Sequence, residues 1–119
     1  MCGFVGLYKK NGLDEADINK IRLISNQLSR RGPDQSGEWL DAEKNLILSH
    51  RRLSINDLSK EGIQPMRSKC SRYILVYNGE IYNFRNLKEE LKKKNHQFNS
   101  NSDTEVILAL IEEFGFEET

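Results

Sequence analysis

Apolar side chains first cluster at residues 3–8, Gly-Phe-Val-Gly-Leu-Tyr, a short aromatic and branched run that predicts a buried strand. Its glycines mark places where another segment comes close. From Asp14 to about Arg30 the period changes: Ile18, Ile21, Ile24 and Leu28 recur at helical spacing, while Lys20, Arg22 and Gln27 fall on other faces. Acidic residues in the first turn suit a helix N-terminus, and Gly32-Pro33 ends the segment.

Residues 46–49 and 52–56 predict two further strands, and the run 72–77, Arg-Tyr-Ile-Leu-Val-Tyr, predicts the clearest one, stopping at Asn78-Gly79. A second helix over about Phe84 to Lys94 places Phe84, Leu87 and Leu91 on one stripe and leaves Lys92-Lys93-Lys94 to solvent. Ser102-Asp103-Thr104-Glu105 then matches a capping box, with Ser102 accepting from an early amide and Glu105 reaching back, ahead of a helix that stops near Gly115. The order of elements predicts one layered α/β or α+β domain, without internal repeats, low-complexity tracts or an interdomain linker.

Composition narrows the classes of function. Among 119 residues, 18 basic side chains balance 18 acidic ones, so no net field draws the chain to nucleic acid or to an anionic membrane. No apolar run has membrane-spanning length and no basic-then-apolar leader is visible, which makes a cytoplasmic protein the expectation. Cys2 and Cys70 stand far apart and predict free thiols in a reducing compartment.

The candidate chemistry starts at Cys2, directly behind Met1. A small second side chain permits removal of Met1, and Cys2 then carries both a thiol and a free α-amino group. Reference pKa values of about 8.5 and about 7.7–8.0 put each near the protonation state that acyl transfer needs at neutral pH. A chain-terminal amine serves as base for such nucleophiles. The plainer reading makes Cys2 a small hydrophobe leading into the strand.

Asn78-Gly79 reads either as a hairpin turn or as an oxyanion hole, with the Asn78 amide and the Gly79 N–H aimed at a carbonyl oxygen that gains charge. Arg51-Arg52 is either a surface pair or the source of a guanidinium that grips a carboxylate in bidentate fashion. Asp103 suits a substrate ammonium, but equally the start of a helix. Arg31-Gly32-Pro33-Asp34 is a turn by composition and could cover a pocket. His50, His96, Cys2 and Cys70 match no common zinc spacing, so no metal site is expected, and His50 reads as a partly buried hydrogen-bonding residue. No P-loop or GxGxxG is present, so the chain itself is expected to bind no nucleotide.

Taken in order, MCGFVGLY, RRGPDQSGEW, LSHRRLSINDLS, IQPM, VYNGEIYNFRNLKEEL and SDTEVILALIEEFG resemble the glutaminase domain of glutamine-hydrolysing asparagine synthases, over nearly the whole chain. That family belongs to the class II glutamine amidotransferases, and other branches carry a threonine-arginine-tryptophan segment where this chain has His50-Arg51-Arg52-Leu53-Ser54-Ile55. The resemblance implies an α+β N-terminal-nucleophile hydrolase fold, a four-layer αββα sandwich of which 1–119 is an incomplete, N-terminal portion. It implies Cys2 as nucleophile, its amine as proton shuttle, and Asn78 and Gly79 as oxyanion hole. By the same route Arg52 takes the α-carboxylate of free glutamine, Asp103 its ammonium with Glu80 nearby, and Leu53 and Ile55 line the pocket.

The family continues with more of the second sheet and with a synthetase domain that uses ATP and Mg to make asparagine from aspartate; no SGGxDS-type loop occurs in these residues. The expectation is therefore a fragment, one part of a split enzyme whose partner polypeptide completes it, or a remnant. An incomplete sandwich would expose apolar faces and favour association, including a homo-oligomer. The competing functions are a glutaminase serving another ammonia acceptor, an inactive glutamine-binding or assembly module, and a thiol redox role for Cys2 and Cys70.

Overall fold

A computed structural model describes residues 2–54 and 60–119. These fall into two compact units, the first made of 2–54, Ile63–Pro65 and Val76–Asn78, the second of 60–62, Met66–Leu75 and Gly79–Thr119.

The first unit is built on strands β1 (Gly3–Tyr8), β2 (Gln35–Leu40) and β3 (Leu46–Arg52), with helix α1 (Glu15–Gln27) between β1 and β2 in sequence. The antiparallel sheet runs β1-β3-β2, with Gly3 opposite Arg51 and Tyr8 opposite Leu46 on one side of β3, and Gln35 opposite Arg52 and Leu40 opposite Ile47 on the other. Because β3 is paired on both edges, it stays in the ladder through His50 and Arg51, the gap between the two expected strands. The expected strands 46–49 and 52–56 are thus one strand ending at Arg52, and 55–56 lie outside the described residues. Strand β2, Gln-Ser-Gly-Glu-Trp-Leu, was not legible because it is polar and lies at a sheet edge.

Alternation along β3 assigns its side chains to two faces. Ile47 is fully buried with Leu13 and Ile21 of the α1 side, and Val5, Leu7, Ile18, Ile24 and Leu40 pack around them. On the same face the Ser49 hydroxyl meets that of Ser25 at 2.7 Å, and Arg51 Nε donates to the Ser25 carbonyl at 3.1 Å while its guanidinium also reaches the Asn26 side chain. A cation therefore satisfies the C-terminal end of α1, the end that carries partial negative charge. The helix begins on a capping box, Asp17 N–H to Asp14 Oδ1 at 2.8 Å and Asp14 N–H to Asp17 Oδ2 at 3.2 Å. It continues into a 3-10 turn, Leu28–Arg30, so the expected helix to Arg30 is α-helical only to Gln27.

The second unit holds the short antiparallel pair β4 (Met66–Arg67) and β5 (Ile74–Leu75) and helices α2 (Phe84–Lys93) and α3 (Asp103–Phe114). Leu91, Val106 and Ala109 form its core, with Phe84, Leu87, Phe98 and Leu110 against them. The strand expected over 72–77 is cut to Ile74–Leu75: β4 offers a partner for two residues only, and Val76–Asn78 belongs to the first unit. No strand follows Asn78-Gly79, so these residues do not close a hairpin. Ser102 caps α3 as expected, accepting from the Thr104 amide at 3.2 Å. Glu105 does not reach back to Ser102; its carboxylate takes the Asn99 and Ser100 amides at 2.9 and 2.8 Å, because the preceding loop turns those donors toward it. Gly115 ends α3 with φ 86°, a conformation in which a Cβ would be strained.

Candidate active site

Cys2 stands just before β1, and the antiparallel register brings it to the exit of β3. Its half-buried Sγ accepts the Leu53 N–H at 3.3 Å and lies 3.7 Å from the Leu53 carbonyl, which its own S–H can reach. The sulfur is thereby oriented by the residue that follows Arg52. Cys2 and Cys70 are both free thiols.

Arg52 is buried at 7% exposure, so it is not half of a surface arginine pair; the period-2 alternation sends Arg51 to α1 and Arg52 to the other face. Its Nη1 donates to Gln35 Oε1 at 2.7 Å. A buried guanidinium needs such partners, because an unpaired charge out of water is costly. The segment 31–35 forms a bracket around this strand exit: Asp34 N–H donates to the Arg52 carbonyl at 3.0 Å, and Asp34 Oδ2 accepts the Ser54 N–H at 2.7 Å. Gly32 allows the approach, since a Cβ there would come within 2.3 Å of the Arg51 carbonyl carbon. Asp34 was read as part of a turn that could cover a pocket, and Gln35 was given no role of its own; the structure makes both direct supports of Arg52–Ser54.

His50, opposite Phe4 and Gly37, is buried, and among the described residues neither ring nitrogen has a hydrogen-bond partner of ordinary geometry. Burial pushes its pKa down to about 4; the nearby Tyr77 main chain opposes this and the Arg52 charge adds to it. The ring is therefore neutral at pH 7. Between pH 6.5 and about 4 the unfolded ring binds a proton that the folded ring refuses, so stability should fall as pH drops through that window and level off below it. The expected loss is about 2–3 kcal/mol, read by urea unfolding at pH 7.5, 5.5 and 4.5, and a His50→Leu variant should lack this component.

Asn78 belongs to the first unit with Cys2, Arg52 and Leu53, whereas Gly79, Glu80 and Asp103 belong to the second. Asn78, Gly79 and Glu80 are exposed. Asp103, in the first turn of α3, accepts the Ile81 N–H through Oδ2 at 3.0 Å, which ties the segment just after Glu80 to the helix start. Ile55 lies outside the described residues. Among the described residues no group of three or more potential ligands could hold a metal ion, and no helix is long and apolar enough to cross a membrane.

Fold and site define a small mixed α/β domain, consistent with the expected α+β class, that presents a thiol near its amino terminus beside a buried arginine. Comparison with known sequences makes the assignment specific: the model of the glutamine amidotransferase domain matches residues 1–119. The chain belongs to that family. It is 42% identical over 111 residues to asparagine synthetase (glutamine-hydrolyzing) 1 of Bacillus subtilis, covering 92% of this chain and 17% of that protein. Asparagine synthetase B (glutamine-hydrolyzing) of Escherichia coli is 42% identical over 116 residues, 97% of this chain and 20% of the relative. The Zea mays asparagine synthetase (glutamine-hydrolyzing) is 38% identical over 117 residues, 98% of this chain and 19% of the relative. The chain thus spans no more than a fifth of the length of these relatives.

Proposed function

We propose that this chain is the catalytic part of a class II glutaminase domain, an N-terminal-nucleophile hydrolase of αββα layering, that splits the side-chain amide of free glutamine. The observation that carries the reading is the seating of Cys2 Sγ on the Leu53 amide, one residue beyond the buried Arg52. A nucleophile and a carboxylate-binding cation are then held by one strand end.

Removal of Met1 frees the Cys2 amine. The sulfur attacks the amide carbonyl of glutamine, and the oxygen that gains charge is met by the Asn78 side-chain NH₂ and the Gly79 N–H. Two such donors act strongly because they are already oriented when charge develops; one of them is typically worth about 2.7–4 kcal/mol of barrier. The amine, through a water, takes the thiol proton and passes it to departing ammonia, leaving a thioester that water converts to glutamate and free thiol. By the family resemblance we assign Arg52 to the α-carboxylate, Asp103 and Glu80 to the ammonium, and Leu53 and Ile55 to the aliphatic chain. Reading both charged ends discriminates against simple amides, which offer Arg52 and Asp103 no opposite charge.

The ammonia serves asparagine synthesis from aspartate in a synthetase domain, on the same or a partner polypeptide, where ATP and Mg belong. The 119 residues contain no pyrophosphate-binding SGGxDS loop.

The test is labelling with a chloroketone analogue of glutamine, followed by intact-mass analysis. Loss of Met1 and a single adduct on Cys2, prevented by glutamine, are expected. Ammonia release by protein that retains Met1 would overturn the mechanism. Arg52→Lys should raise KM for glutamine about 10- to 100-fold with a smaller change in kcat, because an ammonium cannot reproduce the fork geometry.

A further inference from the structure

Gln64 is buried at 6% exposure and its Oε1 accepts the Tyr77 N–H at 2.6 Å. Tyr77 directly precedes Asn78, and residues 76–78 lie beyond the β4–β5 ladder, so their amides depend on partners other than a neighbouring strand. The base of this contact is itself fixed. Gly37 of β2 lies under the Gln64 main chain so closely that a Cβ would stand 2.0 Å from the Gln64 carbonyl oxygen. Gly37 pairs with His50 across the sheet, and directly opposed residues project to one face; the His50 ring on that face also lies near the Tyr77 main chain.

We propose that Gln64 is a positioning residue for the glutaminase reaction, using the hydrogen bond from the Tyr77 amide to set Asn78 at the place where the oxyanion forms. The inference rests on the reading of Asn78 given above. Its physical basis is that an oxyanion donor stabilises the transition state only when it is already in place, and a shift of about 1 Å costs on the order of 10²-fold in rate. Glutamine binding in the ground state depends on Arg52 and Asp103 and not on that donor, so the effect of losing the Gln64 acceptor belongs to kcat and not to KM.

The experiment compares the full chain with Gln64→Met, which keeps the length of the side chain but has no oxygen acceptor, and Gln64→Glu, which keeps an acceptor toward Tyr77. Each is assayed for ammonia release, for inhibition by the γ-semialdehyde of glutamate and for melting temperature. That aldehyde adds the thiol and places an oxygen where the oxyanion would be. Gln64→Met is expected to lower kcat about 10- to 100-fold at nearly unchanged KM and to weaken the aldehyde by the same factor. Gln64→Glu should recover most of both.

Parent-like kcat in Gln64→Met overturns the inference. So does parallel damage to KM and melting temperature in both variants, which marks Gln64 as a structural residue only. A parent chain that neither releases ammonia nor is labelled at Cys2 overturns the glutaminase reading itself, and the role of Gln64 with it.

Discussion

Cys2→Ala should reduce ammonia release from glutamine to the level of the uncatalysed background, a loss on the order of 10⁵- to 10⁶-fold, while glutamine still binds with affinity close to the parent's. Removing the proposed nucleophile of a unit that acts together abolishes nearly all of its advantage, whereas the carboxylate contact proposed for Arg52 does not pass through the sulfur. Folding should be little disturbed. The change removes one sulfur acceptor at 3.3 Å from the Leu53 amide, a half-buried donor whose loss of a partner costs about 1 kcal/mol. Coupled detection of ammonia and calorimetric titration with glutamine separate the two properties. Turnover in the Cys2→Ala chain would end the proposal; equal binding with no turnover in either protein would mark an inactive glutamine-binding module.

The second large effect should come from Gly32→Ala. The added carbon would lie 2.3 Å from the Arg51 carbonyl carbon, 2.4 Å from its oxygen and 2.6 Å from the Arg52 nitrogen. All three are main-chain atoms in the central strand of the sheet, so no rotamer change relieves the overlap, and the 31–35 bracket must move away from β3. Overpacking of this kind costs about 3 kcal/mol, equivalent to a fall of about 10 °C or more in melting temperature for a domain of this size. The Asp34 bonds to Arg52 and Ser54 would lengthen with it. Weakened glutamine binding should therefore accompany the instability, and Pro33→Ala, outside the overlap, should show neither. Parent-like melting of Gly32→Ala would show that the bracket does not press on the strand.

The elements with strong local signals were legible. Strand β1 occupies its apolar run but is not the buried strand expected, since alternation leaves Phe4 and Tyr8 exposed while Val5 and Leu7 pack on the core; α1 and α2 match their stripes within a few residues, and Ser102 and Gly115 mark the ends of α3. Errors arose where tertiary pairing governs. His50 and Arg51 look like a polar break until two neighbouring strands pair with them, and Tyr77 looks like strand until its amide is found on a side chain. The capping box expected at Ser102 and Glu105 is completed at Asp14 and Asp17 instead, since Glu105 is engaged by the loop before its helix.

The candidate site divides in the same way. Cys2, Arg52, Asn78, Gly79 and Asp103 could be named from residue types, order and family resemblance, because chemistry limits which side chains can attack, grip a carboxylate or meet an oxyanion. Their supports could not: Gln35 beneath Arg52 opens a polar edge strand, and Asp34 on Ser54 and Gln64 beneath Tyr77 are polar residues between elements, with no periodicity to mark them.

By itself the amino-acid sequence determined the principal helices, through spacings local to the chain, and, through resemblance of its ordered motifs, the family and the candidate nucleophile. The tertiary structure alone decided that Arg51 serves the α1 face while Arg52 is buried on the other, that His50 is neutral, and that Cys2 rests on Leu53. The reason is that burial and hydrogen-bond partners are properties of segments distant in sequence, and they exist only once the antiparallel register of β1, β3 and β2 has brought those segments together.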